Sequence, residues 1–132
     1  MVSQQEAALL NSFYEALNTA DVEAALDLCN QEVEVYMPPD VVSAVPPRGR
    51  RDVGEYLRGW FDSWHSYEPQ PEDFIAAGGH VVAFVHLRAR GKGSRFLIEE
   101  QIADVFEVDD GKISKLRLYV QRETALEQVR TG

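Results

Sequence analysis

The first half of the chain spaces its apolar side chains three and four residues apart, which is typical of amphipathic helices. Ser3 and Glu6 form a capping-box pattern, so the first helix is predicted to begin there. Its apolar face consists of Ala7, Leu10, Phe13, Tyr14 and Leu17. Asp21 can cap a second, shorter helix. The same spacing returns at Asp52 and predicts a third helix with a largely aromatic face, formed by Val53, Tyr56, Leu57, Trp60, Phe61 and Trp64.

Period-two alternation replaces this spacing in the other segments and predicts strands. One strand, 33–37, lies between the second and third helices. Beyond Pro71, four more strands follow one another with glycine in each connecting turn, and they span 74–77, 80–90, 94–108 and 112–120. Such a succession is typical of an antiparallel meander, and residues 122–129 suit a short final helix.

Helices followed by a strand meander predict a single α+β domain over residues 1–132. We expect the helices to pack on one face of a twisted, mostly antiparallel sheet and to leave its other face uncovered. A long sheet that curves around a helix forms a cone, and we expect this cone to enclose an apolar pocket. The predicted pocket residues are Phe13, Leu17, Tyr36, Met37, Tyr56, Trp60, Trp64, Phe74, Glu100, Ile102, Phe106 and Leu118.

The charge balance narrows the range of partners. Asp and Glu number 22 against 13 Lys and Arg, a formal charge of −9, so we expect neither nucleic acid nor an anionic membrane surface as a partner. No apolar run approaches the roughly 20 residues that span a bilayer, and residues 1–6 do not resemble a secretory signal. Cys29 is the only cysteine, which excludes an internal disulfide. The expected location is the cytoplasm.

Asp104 is the strongest candidate for chemistry. Alternation along its strand places it on the same face as Ile102 and Phe106, where removal from water would raise the pKa of its carboxyl. It could then act as an acid, a base or a hydrogen-bond donor. The alternative is a structural aspartate bonded to a backbone group or to an arginine. If Glu100 also faced inward, two carboxylates would share the pocket and their pKa values would separate.

His86 is the candidate proton carrier nearest to Asp104 in the predicted sheet. If it faces the cone, it could pair with Asp104 as an acid/base dyad; otherwise it faces solvent or a dimer partner. The three histidines lack metal-ligand spacing, and residues 91–94 lack the spacing and the following helix of a phosphate loop. We therefore expect no metal and no cofactor.

Two local patterns resemble a known superfamily. Residues 13–21 form an aromatic–Ala–Leu–Asn run that ends in Asp21, and residues 104–113 form a strand–turn–strand. Both resemble the nuclear transport factor 2-like superfamily and, within it, the SnoaL-like polyketide cyclase and ketosteroid isomerase branch. The resemblance covers about residues 6–126. It implies a conical, cystatin-like α+β barrel that is often a homodimer through the open sheet face.

Catalytic residues carry over from this resemblance only in part. Ketosteroid isomerases use a carboxylate base on the first strand, a tyrosine on the first helix and a protonated aspartate on a late strand. Here Met37 stands in place of the base and Phe13 in place of the tyrosine, and only Asp104 matches. Epoxide hydrolases of this fold use two aspartates bridged by an arginine, and residues 84–88 and 117–119 supply no aspartate. Of these three activities, that of a polyketide cyclase with Asp104 as its acid/base group is the one that the residues of this chain contradict least.

The sequence therefore predicts a cofactor-independent protein that binds an apolar, ring-containing or polyketide-like small molecule, with Asp104 and His86 as candidate catalytic residues. It leaves open whether the chain is an enzyme and whether the proline-rich segment 38–47 is a lid. The alternative is a non-catalytic dimerisation or ligand-sensing module, which the isomerase residues missing at Met37 and Phe13 support. We also expect a homodimer through the outer sheet face.

Overall fold

The computed structural model of the protein describes residues 2–36, 47–120 and 122–131. Within these residues the chain forms four helices and five strands. In chain order they are α1 (Gln4–Asn18), α2 (Val22–Asp27), β1 (Cys29–Tyr36), α3 (Gly49–Asp62), β2 (Trp64–Ala77), β3 (His80–Gly91), β4 (Ile98–Asp109), β5 (Lys112–Val120) and α4 (Arg122–Thr131). The predicted α+β class is confirmed.

Both predicted helix caps are present. The Glu6 backbone N–H donates to Ser3 Oγ at 3.0 Å, and the Ser3 N–H donates to Glu6 Oε1 at 3.2 Å, which completes the capping box. The Ala24 N–H donates to Asp21 Oδ1 at 3.1 Å. These bonds satisfy N–H groups that the first turn of a helix leaves without intrahelical partners, and α1 and α2 therefore begin where the sequence predicts.

The five strands form one curved sheet in the order β1-β5-β4-β3-β2. β2 to β5 are antiparallel neighbours, so the predicted meander is confirmed, while β1 lies parallel to β5. Gly78 and Gly79 make the β2–β3 turn with φ angles of 57° and 79°. Glycine adopts these positive angles without steric cost, which explains why this turn is so short.

β2 is much longer than the strand predicted beyond Pro71. It begins at Trp64, so this tryptophan belongs to a strand and not to α3. β2 is an edge strand, and an edge tolerates Pro69 and Pro71 because their missing N–H groups need not join a ladder on both sides. The register also shifts just after Pro71. β4 is shorter than predicted, since it begins at Ile98 rather than at position 94.

Helices cover both faces of the sheet. The main core lies between α1, α2 and α3 and what we call the inner face of the sheet. On the opposite, outer face α4 packs through Ala125, which forms a small buried cluster with Val82, Ala103 and Val105. The prediction of an uncovered outer face is therefore wrong over the area that α4 occupies, because the final helix folds back over β3 and β4.

Candidate functional site

The carboxyl of Asp104 lies in the apolar core beneath α1. Ile102 and Phe106 share its strand face and are buried in the main core, as the alternation predicted. The Asp104 residue itself is only 3% exposed, and among the described residues it is the one charged residue in the buried class. The Tyr14 hydroxyl of α1 donates a hydrogen bond to Asp104 Oδ2 at 2.6 Å. Asp104 is thus held by a tyrosine.

Burial dominates the electrostatics of this pair. It raises the pKa of the Asp104 carboxyl from 3.8 to about 7, although the hydrogen bond from Tyr14 acts in the opposite direction. Burial and the neighbouring Asp104 raise the pKa of Tyr14 well above its usual value of 10.0, so its hydroxyl stays protonated near neutral pH. The pair therefore combines a permanent donor with a carboxyl that can gain or lose a proton near pH 7.

Tyr67 of β2 links this pair to the interior cavity described next. Burial raises the pKa of Tyr67 well above 10.0, the charge of Asp104 raises it further, and Tyr56 adds a smaller effect. A hydrogen bond with the Trp60 side chain acts in the opposite direction. Tyr67 also lines the cavity. Tyr67 is therefore a cavity-lining side chain whose pKa responds to the charge of Asp104.

A small apolar cavity lies inside the cone. Its volume is about 20 Å³, which is room for about one water molecule. Its walls are Phe13, Leu17, Cys29, Val33, Val35, Val53, Tyr56, Leu57, Trp60, Tyr67, Ile113 and Leu116. Four predicted pocket residues are therefore among the lining residues, namely Phe13, Leu17, Tyr56 and Trp60. Asp104 is not one of the lining residues.

An open cleft lies next to the cavity and shares two lining residues with it. It has a volume of about 280 Å³ and is formed by the end of α1, Phe61 of α3 and the start of β2, including Trp64. Leu17 and Tyr67 line both the cleft and the cavity. The ring centroids of Trp60 and Trp64 are 5.5 Å apart, and each lies 5.7 Å from that of Tyr67. Aromatic side chains therefore separate the cavity from solvent at this point.

His86 lies on the sheet face opposite to that of Asp104, which is one of the placements that the sequence left open. In the β3–β4 register Asp104 faces Ala83, so the inner face of β3 carries Ala83 and the buried Val85. His86 lies on the outer face, because successive strand residues alternate. Its ring nitrogens lie 2.8 Å from Glu99 Oε1 and 2.8 Å from Gln101 Nε2. The acid/base dyad does not form.

Two further predicted pocket residues lie elsewhere. Tyr36 alternates with the buried Val35, faces outward, and donates a hydrogen bond to Glu34 Oε2 at 2.8 Å. Glu100 is exposed, as are the other first residues of β4. Two carboxylates therefore do not share the interior.

The remaining predictions have mixed outcomes. Trp64 lines the cleft, and Phe74 packs half-buried against the core, but neither lines the cavity. Ile102 and Phe106 are core residues, and the Phe106 ring packs 5.8 Å from that of Phe13. Met37 lies outside the described residues, as does the side chain of Leu118.

Sequence reasoning did not predict Tyr14 as the partner of Asp104, nor Tyr67 as a site residue. The resemblance aligned Phe13 with the isomerase tyrosine, whereas the next residue, Tyr14, reaches Asp104. The helical spacing of Leu10, Tyr14 and Leu17 was a usable signal, since it places the three on one face. Tyr67 lies in the part of β2 that was not predicted as a strand, so its orientation had no basis in the sequence pattern.

Other chemistry has little support within the described residues. They contain no group of three or more His, Cys, Asp or Glu side chains placed to bind a metal ion. Burial raises the pKa of the Cys29 thiol to about 12, so it is protonated at neutral pH and a poor nucleophile. In the ranges 2–36, 47–120 and 122–131, no helix has both the length and the apolar character needed to cross a membrane.

Comparison with known proteins identifies the family. The SnoaL-like domain family model matches residues 10–116, and the chain belongs to this family. The helices on a curved sheet and the buried pair beneath α1 thus belong to a SnoaL-like domain. No curated protein matches the chain in sequence.

Three solved structures with the same fold are distant from this chain in sequence. An NTF2-like protein of unknown function from Burkholderia pseudomallei has a TM-score of 0.78 at 16% identity and covers 98% of this chain and 100% of its own. A protein of ketosteroid isomerase-like fold from Catenulispora acidiphila, solved with trimethylamine, has a TM-score of 0.76 at 13% identity and covers 92% and 91%. TerC, co-crystallised with polyporic acid, has a TM-score of 0.75 at 16% identity and covers 98% and 100%. At these identities the likeness concerns the fold.

Proposed function

We propose that the interior of the cone binds an apolar, ring-containing small molecule, without a cofactor, and that Asp104 acts on it as an acid/base group or as a hydrogen-bond donor. The observation that carries this proposal is the buried Asp104–Tyr14 pair, with its 2.6 Å hydrogen bond. A carboxyl with a pKa near 7 can protonate a ligand oxygen or accept a ligand proton at neutral pH. His86 has no part in this proposal, because it lies on the outer face.

The proposed ligand must enlarge the cavity. A volume of about 20 Å³ does not hold an aromatic ring, whereas the neighbouring cleft offers about 280 Å³. Rotation of the Tyr67 side chain would join the two spaces, because Tyr67 lines both. The ligand would then contact Tyr67, and proton exchange with Asp104 would pass through that hydroxyl or follow displacement of the Phe13 ring.

The character of the walls supports a ring-containing ligand. Aliphatic and aromatic side chains form nearly all of the cavity, and apolar surface of this kind favours ligands without charge. TerC, which has the same fold, was co-crystallised with polyporic acid, and the Catenulispora protein was solved with trimethylamine. These neighbours support binding of small molecules in general; the preference for a ring rests on the aromatic walls of this chain.

Asp104→Asn tests the proposal against a matched control. A panel of ring-containing carbonyl compounds is titrated into the wild-type protein, with the fluorescence of Trp60 and Trp64 as the signal because both tryptophans border the ligand spaces. We expect Asp104→Asn to alter the affinity, the turnover or their pH dependence near pH 7. Asp109→Asn, an exposed aspartate of the same strand, should behave as wild type. Unchanged binding and turnover in Asp104→Asn would refute the role of Asp104.

The second candidate function is a non-catalytic dimerisation or ligand-sensing module. The small size of the cavity and the absence of Asp104 from its walls favour it specifically. In this case Asp104 and Tyr14 stabilise the core, and ligands bind without being changed. Binding of ring compounds with no turnover of any of them, in wild type and in Asp104→Asn alike, would favour this module over the enzyme.

We further propose a homodimer and a cytoplasmic location. The part of the outer sheet face not covered by α4 supports dimer formation, and so do the exposed apolar residues Phe96, Leu97 and Ile98 at the start of β4. A single buried thiol suits a reducing compartment. The formal charge of −9 argues against nucleic acid and anionic membranes as partners, which leaves a small molecule and a second copy of the chain.

A further inference from the structure

Two buried polar atoms beside the ligand spaces lack a hydrogen-bond partner among the described residues. One is the hydroxyl of Tyr56, a residue that lines the cavity, and the other is the indole N–H of Trp64, a residue that lines the cleft. Burial of a donor without a partner costs free energy, and native proteins contain few such groups. Because Tyr56 lines the cavity in the cone interior, its hydroxyl is placed to meet whatever fills that cavity.

A water molecule is a poor partner for Tyr56 in this position. The cavity has room for about one water, but a buried water typically makes about three hydrogen bonds. The other polar side chains on the walls are few, and the Tyr67 hydroxyl is already bonded to the Trp60 side chain. The Tyr56 hydroxyl is therefore better satisfied by an acceptor atom of a ligand whose remaining surface is apolar and packs against the cavity walls.

The side chains that line the cavity indicate what kind of acceptor the ligand offers to the Tyr56 hydroxyl. Burial raises the pKa of Tyr56 to about 12, so the hydroxyl is a donor at neutral pH and requires an acceptor. No Lys, Arg or His lines the cavity, so an anionic acceptor would be buried without a compensating charge. The Tyr56 and Trp60 rings lie 6.0 Å apart with a 35° tilt, which provides an aromatic surface beside the hydroxyl.

We infer that the ligand carries a neutral acceptor oxygen, as in a ketone, a quinone or an aryl ether, attached to its ring system, and that this oxygen accepts a hydrogen bond from the Tyr56 hydroxyl. This inference rests on the proposed function, since it assumes that the cone interior binds a ring compound. Tyr56 would then determine which ring compounds bind, according to their oxygen substituents. Asp104 would act on the bound compound.

The test compares two probes that differ in one oxygen. 2-Acetonaphthone has a ketone oxygen, and 2-ethylnaphthalene has the same ring system without it. We expect Tyr56→Phe to bind the ketone about 3- to 10-fold more weakly than wild type, which is the loss of one hydrogen bond, and to bind the hydrocarbon equally well. Tyr36→Phe is the matched control, because its hydroxyl lies on the outer face and bonds to Glu34, and it should bind both probes as wild type does.

The stability of Tyr56→Phe provides a readout that needs no ligand. Removal of an unsatisfied hydroxyl should leave the urea midpoint unchanged or raise it, whereas a lower midpoint would show a structural partner and overturn the inference. If both probes bind and Tyr56→Phe changes neither affinity, the inference fails and the proposed function stands. If neither probe binds to the wild-type protein, both fail.

Discussion

At the scale of single residues, a carboxyl that is 3% exposed must either find strong partners or give up its charge. Asp104 combines the two: it has a hydrogen-bond partner, and the pKa of its carboxyl is raised. The Tyr14 hydroxyl supplies a hydrogen bond at 2.6 Å, and burial nevertheless raises the pKa of the carboxyl to about 7. Since the two effects oppose each other and burial prevails, both protonation states are accessible at neutral pH. This property makes Asp104 a candidate acid/base group and also affects the stability of the fold.

We predict that the protein becomes less stable as the pH rises through the range set by Asp104. The pKa of its carboxyl is about 7 in the folded state, against 3.8 for an ordinary aspartate. Between these values the folded state keeps a proton that the unfolded state has released, so the free energy of unfolding falls with rising pH. The fall is complete above pH 7 and amounts to about 4 kcal/mol.

Urea unfolding of wild type and Asp104→Asn, between about pH 5 and about pH 8, measures this effect. The asparagine does not titrate, so the midpoint of the variant should change less than that of wild type. Asp109→Asn keeps the buried carboxyl and should retain the wild-type slope. All ionisable side chains other than the substituted aspartates are common to the three proteins. Equal slopes in all three would exclude a raised pKa at Asp104.

At the scale of elements, the end of α1 is tied to β2, and this tie positions the site. The Asn18 side-chain NH₂ donates to the Tyr14 carbonyl at 2.8 Å and to the Pro69 carbonyl at 2.7 Å. Gln70 Nε2 donates to Asn18 Oδ1 at 3.2 Å. Asn18 therefore connects the helix that carries Tyr14 with the strand that carries Tyr67.

Asn18→Ala is expected to destabilise the protein by about 1–3 kcal/mol, because it removes these part-buried hydrogen bonds, including the one to the Pro69 carbonyl. Asn11→Ala makes the same change at an exposed position of the same helix and should have little effect. Chemical denaturation of the two variants gives the difference. A loss of stability equal in both would show that Asn18 contributes no more than an exposed helical asparagine.

The sequence pattern was sufficient to predict most of the helices and strands and part of the candidate site. The capping box at Ser3, the alternation around Asp104 and the glycine turns are local signals, and each element they predict is present. β2 was predicted too short because Pro69 and Pro71 suggest a break, and only the sheet order shows that they lie on an edge. The partners of Asp104 and the face of His86 depend on register between strands, which residue spacing does not specify.

At the scale of the whole molecule, helices enclose one face of the sheet, and α4 covers part of the other. The interior is nearly filled, and aromatic side chains separate it from the cleft. Outside, Phe96 is 82% exposed next to the start of β4, where Leu97 and Ile98 are exposed as well. A contiguous exposed apolar segment on an otherwise charged surface is typical of a contact site between proteins.

We predict a homodimer in solution that includes this segment. Light scattering at micromolar concentration should give about twice the mass of the 132-residue chain, because burial of Phe96, Leu97 and Ile98 against a second copy stabilises the pair. Phe96→Ser should shift the mass toward that of one chain, whereas Lys92→Ser, a nearby exposed position, should leave it unchanged. A monomeric wild-type protein would contradict the prediction.

The most direct test of the site is the titration of the Asp104 carboxyl itself, followed by ¹³C NMR and assigned by the resonance that disappears in Asp104→Asn. We predict an apparent pKa of about 7, since burial outweighs the hydrogen bond from Tyr14. A midpoint near or below about 3.9, the value of an exposed aspartate, would contradict a buried acid/base group in the cone.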